Sequence, residues 1–266
     1  YPQGQLAVYK DGVEQVARGA NFISVEDPSY LGDYVADFNA LVGPMLYDSF
    51  EAYEYMIKTP LVKGMIKEVE EKHNIKVLAL DYIFGFRNFK TNKVITRPED
   101  LKGMKIRTPG SQLFIDTINA MGATATPLAF SETLSAVQQG VVDGLEGTMD
   151  AYGTNGSSEV AKNMAFTKHF LGTCGVYINN DLFNSIPEKY RTIIQEEFTK
   201  GAEHMKSEIT NNYDATKAML EAKGNKFNEV DYPAFVAVAE PVYANMKGVT
   251  PGIYKTLQAE LAKMKK

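Results

Sequence analysis

Between Pro98 and Gly147 the chain reads PEDLKGMKIRTPGSQLFIDTINAMGATATPLAFSETLSAVQQGVVDGLEG, and this stretch constrains the fold more than any other. Three short apolar runs, KIRT, TATPLA and VVDG, are each set off by Gly or Pro, with helix-period segments between them. That alternation predicts strands joined by crossover helices, hence an α/β protein with a parallel sheet covered on its faces. Arg107 breaks the pattern. It falls in a run of strand formers, just before a Pro-Gly turn. Open α/β sheets bind ligands at the carboxyl ends of their strands, and a guanidinium there offers a planar fork of donors suited to a carboxylate. A second reading stays open, in which Arg107 is a strand-end surface charge paired with Glu99 or Asp100.

With 266 residues, the chain is long enough for one large or two modest domains. A net charge of −5, with lysines and acids mixed along the sequence, argues against a nucleic-acid binder, which would show a basic face. No apolar run approaches the ~18–20 residues needed to cross a bilayer. The single cysteine, Cys174, leaves no internal disulfide and no thiolate metal cluster, and its flanks FLGTCGVYI predict a buried, inert thiol. The sequence opens at Tyr1-Pro2 without Met or a leader pattern, so a mature or trimmed form is expected.

In chain order, a YPQG turn precedes a helix through KDGVEQVARG and a strand ANFISV that ends beside Glu26 and Asp27. Residues 29–60 are rich in Tyr and Phe, with a helix in DSFEAYEYMI capped by Asp48 or Ser49. The segment TPLVKGMIKEVEEKHN predicts a further helix. IKVLALDYIFG then predicts a buried strand ending at Gly85, with Arg87 emerging from the next apolar run, GFRNF. SSEVAKNMAFTKH has a helical pattern and FLGTCGVYIN that of a strand. From Pro187 to Gly224 one or two long helices are expected, with Gly201 and Asn211-Asn212 as candidate bends. A short strand NKFNEV, a helix from Tyr232 and a basic last helix close the chain.

Catalytic signatures are missing. His73, His169 and His204 stand in no zinc-ligand frame, and there is no GxSxG, Walker-type or GxGxxG motif, so neither metal nor cofactor is expected. Carboxylates are numerous, and an acid/base pair drawn from Glu26, Asp81 and Glu146 stays open as an enzyme reading. Arginines at strand ends without a nucleophile favour recognition of an acid over chemistry on it.

GFRNF, PEDLKGMKIRTPGS, GATATPLAFSE, AVQQGVVDGLEG and EVAKNMAFTKH, in that order, resemble the solute-binding proteins of tripartite ATP-independent periplasmic (TRAP) transporters, the DctP-like dicarboxylate-binding family. The resemblance covers nearly the whole chain. It implies a two-lobed periplasmic-binding-protein fold with crossing strands and a long lobe-spanning helix. Lobe I would comprise residues 1–84 and 173–212, and lobe II residues 85–172 and 213–266. An opening strand and helix of the family would lie ahead of YPQGQLA, outside this sequence. One acid would be held in the cleft between the lobes. The KGxKIR arginine, here Arg107, would form the main salt bridge to its carboxylate, with Arg87 of the GFR motif in support. Phe130 of PLAF would pack on the ligand, and Glu26 matches a glutamate of the sialic-acid binders. Two positions depart from the family pattern: Gly147 and Thr148 follow Glu146 where many members have Asn, and Leu134 stands where many have Tyr.

With no Trp, ring stacking falls to Phe130 or to Tyr30, Tyr82 or Tyr152. The resemblance implies a periplasmic or other extracytoplasmic protein, free or lipid-anchored before processing, that delivers a small organic acid to TRAP membrane subunits. A sugar acid is favoured over a dicarboxylate because Glu26 would repel a second carboxylate. The alternatives are an enzyme acting on a sugar acid and a ligand-sensing domain.

Overall fold

The computed structural model describes residues 6–264, so the turn expected at residues 1–4 lies outside them. The chain divides into two compact units. The first takes the chain up to Ile83, Thr173–Glu208 and everything from Met246; the second is Phe84–Gly172 with Ile209–Asn245. Two long strands, β2 (Ile75–Thr91) and β6 (Asn163–Asn179), and the helix Glu188–Asn211 run from one unit into the other.

In the first unit, β1 (Ser24–Glu26) pairs antiparallel with the second half of β6, placing Glu26 opposite Gly175. Capping chemistry sets its helices. Ser49 accepts the Ala52 amide at 3.2 Å and starts Phe50–Ile57. Thr59 and Pro60 start Pro60–His73, which stops where Asn74 takes a left-handed φ of 58°. The core here gathers Leu78, Val176, Ile178 and Phe183, with Ile194 and Phe198 packed against it from the long helix. Gly201 is not a bend in that helix. Its missing side chain leaves room for the Tyr82 ring, whose hydroxyl donates to the Phe198 carbonyl at 3.0 Å. The residues from Met246 onward were expected in the second lobe. The last helix, Ile253–Met264, packs instead on Phe50–Ile57 and Asp37–Leu41, and Thr250 is tied to Asp37 by bonds of 2.7 and 2.8 Å.

In the second unit the strand order is β2–β5–β3–β4, with β3 (Lys105–Thr108), β4 (Thr124–Pro127) and β5 (Gly144–Gly147) mutually parallel and β2 antiparallel to β5. The helices Gln112–Ala120 and Thr133–Gln138 are the crossovers that the opening alternation predicts. β7 (Lys226–Asn228) adds to β6 in parallel. Two expectations change here. β2 does not end at Gly85 but runs through it, with Gly85 at φ +97°, a conformation open to glycine at little cost. The helical pattern of Ser157–His169 yields only the turn Ser157–Glu159, because from Asn163 the backbone is engaged by β7 and the segment is strand. In the part of β6 that belongs to the first unit, Cys174 is half-buried rather than fully buried as the sequence suggests.

Candidate ligand-binding site

Arg107 sits on β3 opposite Leu145 of β5 and Thr126 of β4. The three strands are parallel, so their carboxyl ends coincide. They bring together the Arg107–Pro109 turn, the Leu128–Phe130 segment and Gly147–Thr148 at one end of this half-sheet. Arg107 is only 3% exposed. Its Nε and Nη2 both donate to the Leu128 carbonyl, at 3.0 and 2.7 Å, which fixes the plane of the guanidinium. Phe130 lies 5.6 Å from it, centroid to Cζ, and the residue is 42% exposed. A buried cation beside an open aromatic face is suited to an anionic ligand that also presents carbon. The surface-charge reading of Arg107 does not survive this burial: Asp100 is taken by the amides of Thr96 and Arg97 at 2.8 and 3.0 Å.

Arg87 occupies the same end of the half-sheet, one residue before the Asn88–Gly147 pair. Its fork is closed on Glu146, with Nε to Oε2 at 2.6 Å and Nη2 to Oε1. The Glu146 side chain is fully buried, and its other neighbour is His169, whose Nε2 lies 3.4 Å from Oε2. The Thr167 hydroxyl is 2.7 Å from Nδ1 of the same imidazole. Burial lowers the His169 pKa, so the ring is neutral near pH 7. With Nδ1 accepting from Thr167, its one proton is assigned to Nε2 and directed at Glu146. Burial pushes the Glu146 carboxyl up, but the charge of Arg87 and the bonds from His169 and Arg87 outweigh it and hold the pKa at about 2. Glu146 is therefore a fixed anion that neutralises Arg87, which removes it from the acid/base pair of the enzyme reading.

Tyr152 is buried beneath these groups. Its hydroxyl donates to the Asn88 carbonyl, receives the Gly147 amide and feels the charges of Glu146, Arg87 and Arg107. Gly147 keeps its Cα against that ring, and Thr148 is buried beside Gly172, where a Cβ would stand 2.9 Å from Thr148 Cγ2. Gly147, Thr148, Tyr152, Phe130, Arg87 and Arg107 thus belong to one neighbourhood of the second unit. Glu26, Tyr30 and Tyr82 belong to the first. Tyr82 serves the packing of the long helix. Tyr30 is 5% exposed and its ring is tilted against that of Tyr9, with centroids 5.8 Å apart.

Glu26 accepts the Tyr9 amide at 2.6 Å, yet burial, helped by the neighbouring Asp27 charge, raises its pKa to about 7. An acid raised on folding loses stability as pH climbs from its unfolded value near 4.5 to 7, and the loss is complete above that. Glu26→Gln keeps the acceptor for Tyr9 without the charge. In paired urea titrations it is expected to match the wild type at pH 4.5 and to exceed it by about 1–3 kcal/mol at pH 8; a constant difference across that range would refute the burial argument.

Sequence reasoning missed the Leu128 carbonyl and the His169–Glu146 contact. A backbone acceptor leaves no trace in residue identity. Glu146 was singled out only as a candidate acid/base carboxylate, because its pairing with Arg87 depends on the register between β2 and β5.

The family model for bacterial extracellular solute-binding proteins, family 7 (DctP), matches residues 1–248. Among solved structures, a TRAP periplasmic solute-binding protein from Desulfovibrio salexigens, in complex with diglycerolphosphate, is 57% identical with a TM-score of 0.96, covering 100% of this chain and 85% of that one. One from Fusobacterium with bound sn-glycerol 3-phosphate is 44% identical with a TM-score of 0.97, over 98% and 85% of the two chains. One from Ochrobacterium anthropi with bound L-fuconate is 31% identical with a TM-score of 0.93, over 98% and 86%. The DctP-model match across nearly the whole length, together with the two-lobed TRAP neighbours, shows that this chain belongs to bacterial extracellular solute-binding protein family 7, the periplasmic solute-binding components of TRAP transport.

Proposed function

We propose that the protein captures a short polyol bearing one oxyanion, with a glycerol phosphate ester as the favoured solute, and hands it to a TRAP membrane permease. The observation that carries this reading is Arg107, a buried guanidinium oriented by the Leu128 carbonyl and faced by the open ring of Phe130. A planar fork of this kind serves phosphate as well as carboxylate. The phosphate ester takes precedence because the neighbours at 57% and 44% identity hold glycerophosphates, whereas the one at 31% holds a sugar acid. The Gly147–Thr148 departure fits the same preference. It sets a small residue and a hydroxyl where many members carry a side-chain amide. A sugar acid remains the second reading, supported by the L-fuconate neighbour.

The test is a thermal-shift panel of sn-glycerol 3-phosphate, diglycerolphosphate, L-fuconate, L-galactonate and succinate, followed by calorimetry on each compound that raises Tm. A ligand at 100 times its Kd stabilises the native state by about 2.7 kcal/mol, a readily measured shift. The glycerophosphates are expected to give the largest shifts at equal concentration. Larger shifts with L-fuconate or L-galactonate would move the assignment to a sugar acid, and larger ones with succinate to a dicarboxylate.

A further inference from the structure

Lys90 lies on β2 with no exposed surface, and its Nζ has no hydrogen-bond partner among the described residues. A lysine in that position is costly and calls for a reason. The register supplies one. Lys90 pairs with Leu145 across β2 and β5, and Leu145 pairs with Arg107 across β5 and β3. Partnered residues point to the same face, so Lys90 and Arg107 stand in one row, two strand spacings or about 10 Å apart at their Cα atoms. Between them Tyr152 packs on Leu145, with the Lys90 ammonium 5.0 Å from its ring centroid.

The surroundings do not cancel this charge. Glu159 acts on Lys90 but is exposed and shared by Lys162 and Lys223, at 3.7 and 3.6 Å, and both of those lysines repel it. Arg87 and Glu146 neutralise each other, and Glu146 opposes Phe89, on the other face of β2 from Lys90. His169 is held neutral by burial.

We infer that Lys90 is a specificity-determining residue of the Arg107 site: its ammonium, held against Tyr152 in the same row, strengthens binding in proportion to the negative charge of the head group. This rests on the assignment of Arg107 as the anion site. Each charge on the head group gains roughly tenfold from a cation about 10 Å away in a medium of effective dielectric near 20. Burial lowers the Lys90 pKa to about 7, so the ammonium is present below that pH and lost above it. The gain should therefore fade as pH rises from 7 to 9.5.

The experiment compares sn-glycerol 3-phosphate, doubly charged above pH 7, with diglycerolphosphate, singly charged, by calorimetry at pH 7 and pH 9.5. Wild type, Lys90→Met and Lys90→Gln are measured in parallel, each first checked for a cooperative melt. Replacement is expected to weaken the monoester by about tenfold more than the diester at pH 7. The wild type should lose monoester affinity between pH 7 and 9.5, and the variants should not, which a merely structural role for Lys90 would not produce. An unchanged affinity ratio, or identical pH profiles in wild type and variants, overturns the inference while leaving the ligand assignment intact. Binding of neither probe to the wild type overturns the ligand assignment, and this inference with it.

Discussion

Arg107→Ala is expected to weaken binding of the cognate anion by roughly thirtyfold or more while leaving the unliganded protein folded. The side chain is nearly dry, and truncating one partner of a buried, hydrogen-bonded charge pair costs about 2–5 kcal/mol. That corresponds to a factor between roughly thirty and several thousand in Kd. Arg107→Lys is the sharper control. It keeps the charge, but an ammonium cannot hold the Leu128 carbonyl through Nε and Nη2 together and still present a flat edge to two oxygens of the ligand. Lys is therefore expected to recover only a small part of the loss. Isothermal titration calorimetry on the three proteins, with melting curves taken without ligand, checks both statements. Wild-type affinity in Arg107→Ala would remove Arg107 from the site.

Arg107 was legible in the sequence because it violates a pattern: a guanidinium at the end of an apolar run has few structural uses. The parallel half-sheet was legible for the same kind of reason, since its strands and crossovers are local and punctuated by Gly and Pro. β2 and β6 were not. Each is 17 residues long and belongs to both units, and no local signal marks where one unit gives way to the other. Gly85 reads locally as a strand end, although the strand continues through it, and NMAFTKH reads as helix although β7 engages it. The tail from Met246 returns to the first unit through Thr250 and Asp37, a pairing across more than two hundred residues that periodicity does not encode. Arg87 could be picked out as a cation at a strand end, but its commitment to Glu146 depends on the register between β2 and β5, which emerges only when the sheet is assembled.

That commitment leads to the second large effect. Glu146→Ala is expected to destabilise the protein by about 3–5 kcal/mol, because it leaves Arg87 partly buried without its counter-charge and strips His169 of its acceptor. The pH dependence has a definite sign. Glu146 titrates near 2 in the folded state against 4.5 unfolded, so its contribution is fully present above pH 4.5 and is lost as pH falls through 2. Wild type should therefore lose about 3 kcal/mol across that interval that Glu146→Gln does not. The pair is a costly way to gain stability, since two charges must be desolvated, and an apolar pair of similar volume often does as well. The double variant Arg87→Met/Glu146→Leu is accordingly expected to regain most of the stability lost in Glu146→Ala. If it also binds the anion as tightly as wild type, Arg87 serves only the fold. If it is stable but binds weakly, the buried Arg87–Glu146–His169 chain is retained for the ligand, and its cost in stability is what the site requires. Urea titration and calorimetry on the same preparations separate these outcomes.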